Sequence, residues 1–187
     1  MRSLAIIPAR GGSKRIHRKN IKHFLGKPII GYPVASAIHS NIFEEVMVST
    51  DDEEIAATAK TFGASVPFLR SAANADDFAT TVDVLLEVVS AYEKQGKVFD
   101  NICCIYPTAP FVSSQLLRMA FDKMITYDFD SVFPVIPFGF PIQRAVKIQA
   151  DKVKLIQPEH LNTRSQDLEK AYHDCGQLYC PSTLFVA

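Results

Sequence analysis

Three short, β-rich apolar runs, at residues 4–8, 46–49 and 101–106, alternate with stretches whose apolar residues recur at helical spacing. No other feature constrains the fold as much. The run at 101–106 is apolar almost throughout, the pattern of a strand covered on both faces. Helices are predicted over 28–40, from the Thr50-Asp51-Asp52-Glu53-Glu54 cap to about residue 62, over Thr81–Lys94, and over 113–125. Residues 130–135 read as a further strand. Strands alternating with helices predict an α/β three-layer sandwich around a mostly parallel, Rossmann-like sheet. After Pro134 the texture changes: Pro137, Pro141 and Pro158 punctuate two short strands, 145–149 and 152–156, around an Ala150-Asp151 turn. Residues 137–164 are therefore expected to form a β-excursion, a device for a dimer contact or a lid, within one domain spanning 1–187.

The first strand runs into a glycine-bearing loop crowded with cations. Arg10, Lys14, Arg15, Arg18, Lys19 and Lys22 fall within 13 residues, and no acid precedes Glu44. The chain as a whole balances 20 basic against 20 acidic residues, so the positive charge is local. That balance argues against a broad nucleic-acid or membrane-surface face. The loop has neither GxxxxGK[ST] nor GxGxxG, which removes the P-loop and dinucleotide readings. It still suits a polyanion, most simply a nucleoside triphosphate. Gly11 and Gly12 allow backbone N–H groups to approach phosphate oxygens, and Arg10, Lys14 and Lys19 supply charge. Asn20 can hydrogen-bond a sugar or a phosphate. A merely solvated basic loop is the alternative.

Cys103, Cys104, Cys175 and Cys180 form no CxxC pair, so they are expected to serve as small hydrophobic thiols in a reducing, cytoplasmic setting. No apolar run reaches membrane-spanning length. The apolar end at 185–187 is expected to belong to a structural element, and its abruptness suggests truncation of a longer chain.

Several segments carry a family resemblance: IIPARGGSKRIHRKNI at 6–21, VSTDDEEIA at 48–56, VPFLR at 66–70, IYPTAPF at 105–111, FPIQRA at 140–145 and NTRSQDLEKAYHDCGQLY at 162–179. Together they resemble the cytidylyltransferases that activate nine-carbon acidic sugars, the CMP-sialic acid synthetase family, and its pseudaminic acid branch more than its sialic acid branch. The resemblance implies a nucleotidyltransferase that joins CMP from CTP to the sugar's anomeric hydroxyl, with Mg²⁺ as cofactor and a homodimer as the assembly. It implies that Arg10 and Asn20 contact the nucleotide, Lys14 and Lys19 the phosphates, and Arg70 the cytidine. Thr80 and Thr81 stand where sialic acid relatives have a serine-rich pocket lining, although Thr80 serves equally well as a helix cap. Tyr106 replaces a glutamine of those relatives.

Arg164 matches an arginine treated as catalytic in the sialic acid enzymes; a surface ion pair with Asp167 or Glu169 is its alternative. Lys19 is grouped with it as catalytic, and Gln143 and Arg144 are candidates for the sugar. Asp51 and Asp52 fit helix-start electrostatics better than catalysis, and His160 and His173 have no metal-spaced partners. The family's Asp-x-Asp metal site lies beyond residue 187, which leaves the metal ligands unassigned. A non-catalytic nucleotide-binding fragment stays open as a second reading. A nucleotide-sugar glycosyltransferase is a weaker third, its one DxD triplet being Asp128-Phe129-Asp130.

Overall fold

A computed structural model describes residues 1–181. In chain order the elements are β1 (Ser3–Pro8), the small pair β2 (His23–Phe24) and β3 (Lys27–Pro28), α1 (Gly31–Ser40), β4 (Glu45–Ser49), α2 (Glu53–Thr61), α3 (Thr81–Lys94), β5 (Asn101–Ile105), α4 (Ser114–Thr126), β6 (Ser131–Val132), β7 (Val135–Pro137), β8 (Val146–Gln149), β9 (Lys152–Leu155), β10 (Tyr172–Asp174) and β11 (Leu178–Pro181). They fall into two compact units, residues 134–175 and the remainder.

The larger unit is built on a five-stranded sheet in the order β4-β1-β5-β11-β6. β1 pairs in parallel with both β4 and β5, while β11 runs antiparallel to β5 and β6, so it alone opposes the others. Along β1 the side chains alternate between two cores. Ala5 and Ile7 pack with Val34 and Ala37 of α1, Ile55 of α2 and Leu117 of α4. Leu4 and Ile6 pack with Leu85, Val88 and Tyr92 of α3. A sheet buried on both faces by helices is the three-layer arrangement that the near-continuous apolar runs require.

Each helix start has a local cause. Asp52 accepts from the Ile55 N–H at 3.0 Å, and Glu53 and Glu54 follow in the first turn of α2. Thr80 and Asp83 form a reciprocal capping box at α3, and Ser113 caps α4. The expected helix at 28–40 begins at Gly31 instead. Residues 23–28 are spent on the β2–β3 hairpin, which turns through Leu25 and Gly26 at φ 46° and 91°.

Two further expectations are corrected. The strand expected over 130–135 is divided between β6 and β7, with Pro134 lacking the N–H that would carry the ladder through. Cys103 and Cys180 are not separate thiols. The register that sets Tyr179 opposite Cys104 brings Cys180 across from Cys103, and the two sulfurs are in disulfide contact across 77 residues of sequence. Cys104 stays a free buried thiol, pushed up to about 12 by burial.

In the smaller unit β10 pairs with β7, and β8 with β9. Ala150 and Asp151, at φ 49° and 58°, make the tight turn expected there, because two consecutive left-handed residues match the twist of a hairpin. The unit begins and ends outside the predicted 137–164. The apolar end at 185–187 lies outside the described residues.

Candidate functional site

β1 leads on to β4 at one side of the sheet, and β5 lies on its other side, so the gap between the ends of β1 and β5 is a topological switch point. Crevices of open α/β sheets bind ligands there. A cavity of about 710 Å³ opens at this place, with Pro8 ending β1 on one side and Tyr106 following β5 on the other. Arg10, Lys14, Lys19, Asn20, Arg70, Thr80, Thr81 and Tyr106 all line it. Arg15, expected only as one of the loop's cations, lines it as well, and so do Ser13 and Thr108, for which the sequence raised no expectation. Their location in motifs already marked as nucleotide-binding was the available signal.

The loop is shaped by long-range polar contacts. Asn20 is buried at the short 3₁₀ turn Lys19–Ile21 and donates Nδ2 to the Arg10 carbonyl at 2.9 Å, tying the two ends of the loop together. Its Oδ1 is buried and has no hydrogen-bond partner among the described residues. Arg70 is 8% exposed, with Nε on Ser49 Oγ at 3.0 Å and Nη2 on the Ser49 carbonyl at 2.5 Å. Burial pulls its pKa down from the usual arginine range, with Asp51 and Glu87 acting against that. The guanidinium is therefore locked to the end of β4 beside the cavity. Thr80 lines the cavity while its hydroxyl is engaged in the capping box, and Tyr106 packs edge-on against Tyr179 with ring centroids 5.8 Å apart.

Gly11 and Gly12 do not line the cavity. The Gly11 N–H donates to Asp51 Oδ1 at 2.9 Å, so this amide is already engaged by protein. A Cβ on Gly11 would lie 2.7 Å from Asp52 Oδ2, and close approach of that carboxylate is what requires glycine here. Asp52 in turn receives Arg18 Nη1 at 2.5 Å and Nη2 at 3.1 Å, and Arg18 also pairs with Glu54. The hydrogen bond from Arg18 holds the Asp52 carboxyl below its ordinary range, against the opposing effect of burial. Asp52 thus serves the helix start and anchors the loop as well, while Asp51 anchors the loop through Gly11.

The remaining candidates stand in the smaller unit. Gln143 donates Nε2 to the Glu169 carbonyl at 2.9 Å, and Arg144 donates to the Thr163 carbonyl at 2.8 Å. Arg164 precedes the 3₁₀ turn Ser165–Asp167, and it makes no ion pair with Asp167 or Glu169 among the described residues. His173 packs on Phe138, and His160 faces the Thr163 hydroxyl. No group of three or more His, Cys, Asp or Glu side chains able to hold a metal occurs among the described residues. None of their helices is long and apolar enough to cross a membrane.

A family model described as cytidylyltransferase matches residues 4–180. The chain belongs to the cytidylyltransferase family. The pseudaminic acid cytidylyltransferase of Campylobacter jejuni is 44% identical over 96% of this chain and 78% of its own length. A CMP-N,N'-diacetyllegionaminic acid synthase from Legionella pneumophila is 39% identical over 64% of this chain and 52% of its own. Among solved structures, a CMP:2-keto-3-deoxy-manno-octonic acid synthetase complexed with CTP superposes with a TM-score of 0.69 at 18% identity. It covers all of this chain and 76% of that one, and at that identity it speaks for the fold. This cytidylyltransferase carries its basic loop at the switch point of its central sheet.

Proposed function

We propose that this chain transfers CMP from CTP to the anomeric hydroxyl of a nine-carbon acidic sugar of the pseudaminic acid type, releasing pyrophosphate, in the cytoplasm. The observation that carries the proposal is the gathering of five cations, Arg10, Lys14, Arg15, Lys19 and Arg70, with Asn20 around one cavity at the switch point. Cations fixed beside a triphosphate neutralise the charge that builds up as the sugar oxygen attacks the α-phosphate and pyrophosphate departs. Arg10 and Lys14 fit the phosphates, and Lys19 fits the developing oxyanion. Arg70, rigidly held on Ser49, fits the nucleoside end. The buried Asn20 Oδ1, without a partner among the described residues, suits a hydroxyl or amino donor of that nucleoside. Tyr106 and Thr81 complete the wall, and Gln143, Arg144 and Arg164 are proposed to serve the sugar.

The described residues do not fit a resident Mg²⁺. Asp77 is the acid lining the cavity, and its two oxygens are held by Arg10 and Lys14. We therefore treat Mg²⁺ as the counter-ion carried in with CTP, and no step is assigned to it.

The homodimer is proposed on the β8–β9 hairpin. Its register places Ile148 opposite Val153 and Val146 opposite Leu155, an apolar face, with Lys147 opposite Lys154 on the other. Ile148 is 76% exposed and Val153 66%, an uncovered patch of the kind that marks an interface. Light scattering of the protein and of an Ile148→Glu variant tests this, with a dimer expected for the first and a monomer for the second.

The function is tested by pyrophosphate release with CTP, Mg²⁺ and either pseudaminic acid or N-acetylneuraminic acid. Release with pseudaminic acid is expected. Release with N-acetylneuraminic acid alone would move the protein to the sialic acid branch, and CTP binding without release with either would favour the nucleotide-binding fragment.

A further inference from the structure

The loop that would hold the triphosphate already holds an anion. Asp77 stands in the segment between the 3₁₀ turn Ala72–Asn74 and α3, and it lines the cavity. Its Oδ1 takes Arg10 Nη2 at 3.0 Å, and its Oδ2 pairs with Lys14 Nζ. Arg10 also donates to the Asp76 carbonyl. One carboxylate thus occupies both cations proposed for the phosphates, with one oxygen on each.

Its neighbours are tied down in other ways. Asp76 Oδ1 accepts the N–H groups of Phe78 and Ala79, at 2.9 and 2.8 Å, and Asp83 closes the capping box with Thr80. The Asp77 carboxylate makes no such bond to its own segment among the described residues. The lowering of its pKa comes first from the Lys14 hydrogen bond and then from the charges of Lys14 and Arg10, against some desolvation. Both pairs are partly open to solvent, Lys14 being 78% exposed. Ion pairs of this kind are weak and exchange readily.

We propose that Asp77 is a built-in competitor for the polyphosphate. Its carboxylate keeps Arg10 and Lys14 paired while the cavity lacks a nucleotide, and arriving phosphates displace it. This rests on the anion-binding reading of the cavity given above. Asp77 is then an affinity-determining residue of unusual sign, because removing its charge strengthens ligand binding. The Asp77 segment comes free of the basic loop as the ligand enters.

The experiment compares the intact chain with Asp77→Asn by calorimetry at low salt, using inorganic tripolyphosphate and, separately, CTP. Asp100→Asn controls for the loss of one negative charge, since Asp100 accepts from the Arg2 N–H at 2.6 Å, next to the start of β1 rather than its end. Asp77→Asn is expected to bind both probes about three- to tenfold more tightly, the range that two exposed pairs would return, with Asp100→Asn unchanged. Equal or weaker binding by Asp77→Asn overturns the proposal, as does an equal gain in Asp100→Asn. Tripolyphosphate binding without CTP binding would sink the cytidylyl reading, while the tripolyphosphate comparison would still decide the role of Asp77. Failure of both proteins to bind tripolyphosphate removes the anion site and the inference with it.

Discussion

The basic loop is held by carboxylates at two places, and the two differ in everything except charge. On one side Arg18 meets Asp52 through two hydrogen bonds and also pairs with Glu54. On the other, Arg10 and Lys14 share Asp77. Arg18 and Asp52 are 26% and 19% exposed, and Asp52 also caps α2. Asp77 lines the cavity and, among the described residues, is bonded only to the loop's cations. What a carboxylate is tied to besides its cation decides whether the pair is structural or exchangeable. Removing Asp52 therefore also costs a helix cap, whereas releasing Asp77 costs only its two ion pairs.

The largest expected effect separates the two places. Arg10→Glu sets a second carboxylate beside Asp77 and removes a cavity cation, so CTP affinity should fall by about 100-fold or more. The far-UV spectrum and the unfolding midpoint should change little, because Arg10 is not tied to a helix cap. Unchanged CTP affinity in calorimetry would show that the exchangeable side does not face the ligand.

Asp52→Ala should have the opposite profile. It removes the α2 cap, worth about 1 kcal/mol, and leaves a half-buried Arg18 with Glu54 alone, for a loss of about 2 kcal/mol in urea unfolding. A loss below about 0.5 kcal/mol would make the Arg18 side as dispensable as the Asp77 side.

Acid should weaken the same contact. The folded-state pKa of Asp52 is depressed, chiefly by Arg18. Its stabilisation is therefore full above the unfolded carboxylate's pKa of about 4 and is lost as pH falls through the lower folded value. The stability gap between the intact chain and Asp52→Asn should be constant from neutral pH to about pH 5 and narrow below that. A gap that widened on acidification would contradict the assignment.

This contrast also explains what the sequence could and could not disclose. Strands and helices are written in local patterns, and α3 spans the predicted Thr81–Lys94 because Thr80, Asp83 and Gly96 mark its ends within a few residues. Most of the predicted cavity residues were legible for a similar reason, since they lie in motifs that the family resemblance covers. Contacts across long separations were not. Asp52 meets Arg18 from 34 residues away, and Asp77 meets Lys14 from 63. The Cys103–Cys180 contact depends on β11 entering the sheet antiparallel beside β5, which no periodicity announces. Gly11 is a subtler case. A glycine in a basic loop invites a phosphate, but here the space beside it is taken by Asp52 and its amide by Asp51.

The smallest expected effect probes the exchangeable side alone. Lys14 is 78% exposed, and Asp77 keeps Arg10 when Lys14 is removed. Exposed pairs contribute about 0–1 kcal/mol, so Lys14→Ala should move the unfolding free energy by no more than about 0.5 kcal/mol. Its effect on binding should be distinct, since a cation lost from a phosphate site weakens attraction at long range. CTP affinity should fall several-fold at low salt, and the difference should shrink as salt screens the charge. If Lys14→Ala destabilised the fold as much as Asp52→Ala does, the two sides of the loop would be the same kind of clamp, and Asp77 would be an anchor instead of a competitor.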